Sequence, residues 1–239
     1  MKPFLLCAVA LLCCCSVILS QRSGKKRVPV KNIVPAAPAA ATYLRAVQTG
    51  STGNTQDISW IYLTTDGIIV KDPKYGVDPI DIAAEKKHNA SKTGRYTITD
   101  NKMIINWENG KTAEWTIDRK GNEFSSIDGG TVGKQTPLPA NYRIAGQYTA
   151  ESILPSVSSS TTLVFSKDGT FSQSSFGGVN TASGSAVSQD LSDGTYNISG
   201  NTLRLNYANG QKIVSMITIW TLADGKKYLV INGSSFPQK

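Results

Sequence analysis

Beyond residue 15 the chain has no cysteine. All four, Cys7, Cys13, Cys14 and Cys15, stand in its first fifteen residues. If that leader is removed, disulfides, thiolate nucleophiles and cysteine-ligated metals are excluded, and the fold rests on its core alone. Histidine is almost as scarce. His88 is the only one, so a Ser-His-Asp triad would have a single imidazole to draw on. It sits in Lys86-Lys87-His88-Asn89, where a solvated helix end with charge complementary to the dipole accounts for it. The sequence lacks a G-x-S-x-G elbow, an H-E-x-x-H pair, a Walker loop and an EF-hand loop. Asp78, Asp81 and Glu85 share one short segment, but Lys86 and Lys87 adjoin them and helix capping already accounts for Asp78. No catalytic set, metal set or cofactor site is expected, and the chain does not read as an enzyme.

Long apolar runs are also few. The exception is the opening, MKPFLLCAVALLCCCSVILSQ, with Lys2 ahead of an uncharged stretch from Phe4 to Leu19. That stretch is shorter than the ~20 residues a membrane-spanning helix needs. It reads as a secretory signal peptide over 1–20, cleaved after Ser20. The alternative is a lipoprotein leader in which Cys13, Cys14 or Cys15 becomes the lipidated first residue, anchoring the protein to the membrane. An exported protein, periplasmic or extracellular, is expected.

The net charge of +8 suggests nucleic acid until it is located. Lys2 and the five cations Arg22, Lys25, Lys26, Arg27 and Lys31 account for six of the eight, which leaves +2 for residues 43–239. Residues 43–134 carry twelve basic and twelve acidic side chains. The basic character belongs to a Pro/Ala-rich linker at 21–42, so no nucleic-acid partner is expected. The linker reads as a solvated spacer. Its functional alternative is peripheral contact of the 22–31 arm with an anionic membrane or envelope polymer.

A repeated phrase is the main positive feature. Residues 94–110, GRYTITDNKMIINWENG, and 194–210, GTYNISGNTLRLNYANG, share seven identities in seventeen, where average composition gives about one. Each copy reads as two strands. Met103, Ile105 and Trp107 share one face, as do Leu203, Leu205 and Tyr207. Asn109-Gly110 and Asn209-Gly210 predict two-residue type I′ hairpins. The repeat extends upstream, from WIYL before Asp66-Gly67 to TLVF before Asp168-Gly169. Downstream, FSSIDG at 124–129 matches YLVING at 228–233. Two modules follow, 43–134 and 141–239, joined by a proline-bearing linker at 135–140. Five or more short strands in each, with turn signals at hairpin spacing, predict an all-β protein of two tandem antiparallel β-barrels.

The recurring order is strand, Asp-Gly turn, variable segment, G-x-Y-x-I strand, L-x-L strand, Asn-Gly turn and two further strands. It resembles the small lipocalin-like barrel modules of exported bacterial proteins of unknown function. The resemblance implies the fold and carries over no ligand residues. The modules differ most in the variable segment. In the first, Asp78 as N-cap and Pro79 at the first helical position predict one short helix through about His88, with Ile80, Ala83 and Ala84 facing inward. In the second, the Gly/Ser-rich stretch 174–192 reads as poorly ordered.

The functional expectation is a non-catalytic binding protein of the cell envelope. Trp60, Tyr96, Trp107 and Trp115 are the candidate lining residues of a barrel that holds a small apolar or amphipathic ligand. Barrel core is the competing account of the same aromatics. The alternative function is a structural or adhesion protein that displays two β modules on a basic arm. The first module, with its helix and three of the four tryptophans, is expected to carry the function.

Overall fold

The computed structural model describes residues 40–49, 55–154, 157–181 and 184–239. The expected signal peptide at 1–20 and all but the end of the 21–42 linker lie outside the described residues. The first eight strands are β1 (Ala41–Thr49), β2 (Thr55–Leu63), β3 (Ile68–Lys71), β4 (Thr93–Thr99), β5 (Lys102–Trp107), β6 (Thr112–Lys120), β7 (Glu123–Ile127) and β8 (Gly130–Lys134). Each pairs antiparallel with the next, and β1 pairs with β8 from Tyr43↔Lys134 to Ala46↔Thr131, so the sheet closes into a barrel. Closure removes free edges, and the pleat sends alternate residues inward. Tyr43, Ile61, Leu63, Ile69, Met103, Ile105 and Ile127 are fully buried in one cluster.

The second barrel runs β10 (Gly146–Leu154), β11 (Val157–Phe165), β12 (Thr170–Thr181), β13 (Gly184–Gly200), β14 (Thr202–Tyr207), β15 (Lys212–Thr221), β16 (Lys227–Ile231) and β17 (Ser234–Pro237). Its closing seam is slighter: a single bridge, Tyr148↔Gln238, and a bond from the Lys239 N–H to the Gln147 carbonyl at 3.0 Å. Phe165 sits edge-on to Tyr196, with centroids 4.9 Å apart, in a core shared with Tyr148, Ile198, Leu203, Ile217 and Leu229. Between the barrels, residues of the expected 135–140 linker enter β9 (Leu138–Tyr142), which pairs with β13. Both barrels belong to one compact unit.

The shared identities of the repeated phrase have matching structural roles. A Cβ on Gly94 would collide with the Asn106 carbonyl oxygen, and one on Gly194 with that of Asn206. Tyr96 donates its hydroxyl to the Thr64 carbonyl at 2.9 Å, and Tyr196 donates to that of Ser166 at 2.9 Å; each phenol ties its strand to the Asp-Gly turn. The Asn-Gly turns differ from the type I′ expectation. Gly110 (φ +82°) and Gly210 (φ +88°) are left-handed, whereas Asn109 and Asn209 are not. The Gly110 N–H bonds the Trp107 carbonyl at 2.9 Å, and the Trp107 N–H bonds the Lys111 carbonyl at 2.8 Å. This is a type I turn closed by a glycine bulge. The asparagine is required for its side-chain oxygen, which accepts the N–H of Lys111 at 3.1 Å in one copy and of Gln211 at 2.9 Å in the other.

Two further expectations are corrected in the variable segment. The helix, α1 (Ile82–His88), is capped by Asp81, whose Oδ1 accepts the Ala84 N–H at 2.9 Å; Asp78 is not the cap. Its buried residue is Glu85, while Ala83 is exposed and Ile80 and Ala84 are half-buried. Glu85 Oε1 accepts the Tyr75 N–H at 2.8 Å and Oε2 accepts from Asn89 Nδ2 at 2.9 Å, which meets the requirement that a buried polar group be hydrogen-bonded. In the second module, the described residues of the Gly/Ser-rich stretch belong to β12 and β13, paired from Thr170↔Thr195 to Thr181↔Gly184. Small polar side chains fit a strand whose partner supplies every backbone bond on one side, and this offsets their low β propensity.

Candidate functional site

A concave site lies where the barrels meet. Ile61 and Leu63 point into the first barrel, so the pleat sends Trp60 outward. Leu44, its cross-strand partner, points the same way. Both pack against Met216 and Val230 on the outer face of the second barrel, with Ile58, Val77 and Tyr228 at the margin. The Trp60 indole N–H donates to the Asn232 carbonyl at 2.5 Å, and its backbone N–H donates to Asp72 Oδ1 at 2.9 Å. Gly233 sits so close to β2 that a Cβ there would lie 3.0 Å from the Ile58 carbonyl oxygen.

The segment before α1 adds a second seam. The N–H groups of Val77 and Asp78 donate to Thr202 Oγ1 at 2.8 and 3.1 Å, and Arg204 donates to the Asp78 carbonyl at 2.7 Å. Ser199 donates its hydroxyl to the Asp78 carboxylate. Asp78 therefore docks the first module on the second, and this takes it away from the helix it was expected to cap.

Between these seams opens a cleft of about 570 Å³. Its floor is apolar: Ile58 and Val214 over the buried Trp60 and Met216. Its polar lining is Asp72, Lys74, Ser91, Lys92 and the buried Asn89 from the first module and Asn232 from the second. This lining is held in place. Lys92 Nζ pairs with Asp72 Oδ2 at 2.9 Å, and Lys74 Nζ donates to the His88 carbonyl at 2.7 Å. Asn89 Nδ2 reaches the carbonyls of Lys71 and Asp72 at 3.4 and 3.3 Å as well as Glu85. With Asp72 paired to Lys92, the remaining charge of the lining is that of Lys74, beside the polar groups of Asn89, Ser91 and Asn232. A smaller hollow of about 290 Å³ at the same junction is lined by Tyr62, Val77, Asp78, Lys134, Pro137 and Asn201 among others.

The four expected lining residues divide. Tyr96 is buried in the first barrel's core cluster, and the partly buried Trp107 and Trp115 pack against it; the two indoles meet edge-to-face at 5.7 Å. Trp60 does not join them, because it faces the other barrel. Burial, the largest influence, raises the Tyr96 and Tyr43 phenols above the ordinary tyrosine value of 10.0. Tyr96 is thus part of the barrel core, and Trp107 and Trp115 stand half-buried against it. The cleft of about 570 Å³ takes its lining from both modules.

Sequence reasoning missed the polar lining residues Asp72, Lys74, Asn89, Ser91 and Lys92 and the opposing Met216 and Asn232. One signal pointed to them. In Ser59-Trp60-Ile61-Tyr62-Leu63, period two makes either Trp60 or Ile61 face outward, and an outward tryptophan on a closed barrel requires a cover. Comparison with known protein families, with curated protein sequences and with solved structures matched none of them.

Proposed function

We propose that this chain is an exported, non-catalytic binding protein of the cell envelope, built from two lipocalin-like barrels, whose ligand seat is the cleft between them. The carrying observation is that cleft: about 570 Å³, with an apolar floor and a polar lining contributed by both modules. Its chemistry suits a small amphipathic ligand, with an anionic or hydroxyl-bearing end at Lys74, Lys92 and Asn232 and a compact apolar part over Ile58 and Val214. This moves the seat from the barrel interior to the barrel junction. The barrels then act as rigid walls, and Trp60 fixes their spacing. The export assignment rests on the leader, and peripheral envelope contact on the cations of the 22–31 arm.

Short-chain carboxylates, their matching alcohols and matching amines, screened by calorimetry on the full mature chain, test the reading. Carboxylates should bind best. Val214→Trp, which fills the floor, should abolish binding, and Lys74→Glu with Lys92→Glu should reverse the preference toward amines. Binding that persists unchanged in Val214→Trp would refute the seat.

A further inference from the structure

A separate surface of the second barrel has the makings of a protein-docking edge. β13 pairs with β12 from Gly184 to Thr195, but with β14 only from Gly194↔Tyr207 to Ser199↔Thr202. The last rung is the Ala208 N–H, which bonds the Asp193 carbonyl at 2.9 Å. From Ser192 back to Ser188 the second side of β13 has no backbone partner among the described residues. Because backbone groups alternate along an antiparallel strand, the N–H and C=O of Leu191 and Gln189 face the same side as the Asp193 carbonyl. They form a short row of open donors and acceptors.

The first barrel closes the equivalent edge. There the Glu108 N–H bonds the Thr93 carbonyl at 2.9 Å, in the position of Ala208 and Asp193. The chain then turns away: the Asn109 N–H takes the Ala90 carbonyl at 3.2 Å, and α1 precedes it. The same framework is thus capped by a helix in one copy and left open in the other. An open edge invites pairing, and natural proteins usually block it with lysine or proline. Residues 184–193 contain neither.

The charge of this region selects the occupant. From 149 to 166 and from 170 to 193 the chain carries Glu151, Asp190 and Asp193 and no basic residue. Only Asp190 and Asp193 stand at the open edge, and both are exposed. A second copy pairing edge-to-edge around Asp190 would set like charges opposite one another, which disfavours self-association. Leu191, 75 % exposed, stands between them beside a hollow of about 260 Å³ that also includes Val164, Ser172 and Ser174. The geometry points to β13 from Ser188 to Ser192 as a strand-addition site for an extended, basic segment of a partner polypeptide, with an apolar side chain of that segment seated against Leu191 and Val164. Main-chain bonds to Gln189 and Leu191 supply the pairing, and Asp190 and Asp193 supply the charge preference.

The full mature chain is screened against an array of octapeptides that alternate lysine with valine or threonine, and against counterparts with glutamate for lysine. Lysine peptides should bind and glutamate peptides should not, and binding should weaken as salt rises. Amide exchange should slow at Gln189 and Leu191 and stay unchanged at Asp190, which is already bonded to β12. Gln189→Pro removes an outward donor without touching the β12 ladder, and should weaken binding at least tenfold while thermal unfolding of the barrel is unchanged. Asp190→Lys with Asp193→Lys should transfer binding to the glutamate peptides and would do so without any backbone change. Equal binding of both peptide sets, no binding by either, protection at the cleft rather than at residues 189 and 191, or self-association of the chain through this edge would each overturn the proposal. Filling the cleft with Val214→Trp leaves this edge intact, so the two readings fail separately.

Discussion

Tyrosines carry much of the residue-scale logic, and they do so unequally. The Tyr196 hydroxyl donates to the Ser166 carbonyl at 2.9 Å and lies 2.8 Å from the Ile144 carbonyl and 3.1 Å from the Ile144 N–H. The Tyr43 hydroxyl is buried and has no hydrogen-bond partner among the described residues. Removing a bonded hydroxyl leaves its partners unsatisfied, whereas removing an unbonded one relieves a desolvation cost. Tyr196→Phe should therefore destabilise by about 1–3 kcal/mol, and Tyr43→Phe should be neutral or stabilising by up to about 1 kcal/mol, as read from urea unfolding. Burial raises both phenols above 10.0, as it does those of Tyr96, Tyr148 and Tyr207. A raised folded-state value means that the native state holds the phenolic proton more tightly than the unfolded chain. The associated stability is complete below the unfolded value of about 10 and is lost as pH rises through the folded values. Urea midpoints should be flat up to about pH 9.5 and fall steeply above pH 10. Tyr43→Phe should make that fall shallower, and a midpoint that rises above pH 10 would contradict the assignment.

At the scale of elements, the Asn-Gly hairpins and the glycine that opens each repeated strand separate two uses of one residue. Gly110 needs its left-handed φ and has nothing within 4 Å of a would-be Cβ. Gly94 has an ordinary φ but faces the Asn106 carbonyl, part of a ladder that cannot move alone. Gly110→Ala should cost about 1 kcal/mol, the strain of the left-handed conformation. Gly94→Ala should cost more, about 3 kcal/mol or above, since backbone must shift. Thermal unfolding of the two variants gives the order, and equal shifts would show that the strand accommodates a methyl group at position 94. Alternation, turn signals and the hundred-residue repeat made the strands and both barrels legible in the sequence, because period-two burial is a local property. The cap of α1 was not legible, since the competition between Asp78 and Asp81 is settled by Thr202 and Arg204, more than a hundred positions away. The cleft was hidden for the same reason: Trp60 and Asn232 meet only once both barrels exist.

For the whole molecule, the decisive feature is that the two copies do not share a docking face. The outward cross-strand pair Leu44↔Trp60 of the first barrel corresponds to Thr149↔Thr162 of the second, where the two hydroxyls bond each other at 3.1 Å. Met216 and Val230 of the second barrel correspond to Thr116 and Ser126 of the first. Each barrel lacks the apolar face that the other presents at the junction, so the contact is head-to-tail and ends after two modules instead of continuing into a filament. It follows that residues 141–239 expressed alone should fold as a β protein but uncover Met216 and Val230, an apolar patch that drives association. Sedimentation should show this fragment self-associating at micromolar concentration. Met216→Thr with Val230→Ser, the residues the first barrel already tolerates in these positions, should make it monomeric without lowering its unfolding temperature by more than a few degrees. In the full chain the same pair of changes should loosen the junction: the cover of Trp60 is lost, its emission should shift to longer wavelength, and the stability should drop by about 2–5 kcal/mol for the two truncated core side chains. A fragment that is monomeric with Met216 and Val230 in place would show that these residues do not need the first barrel, and the head-to-tail account would fail with it.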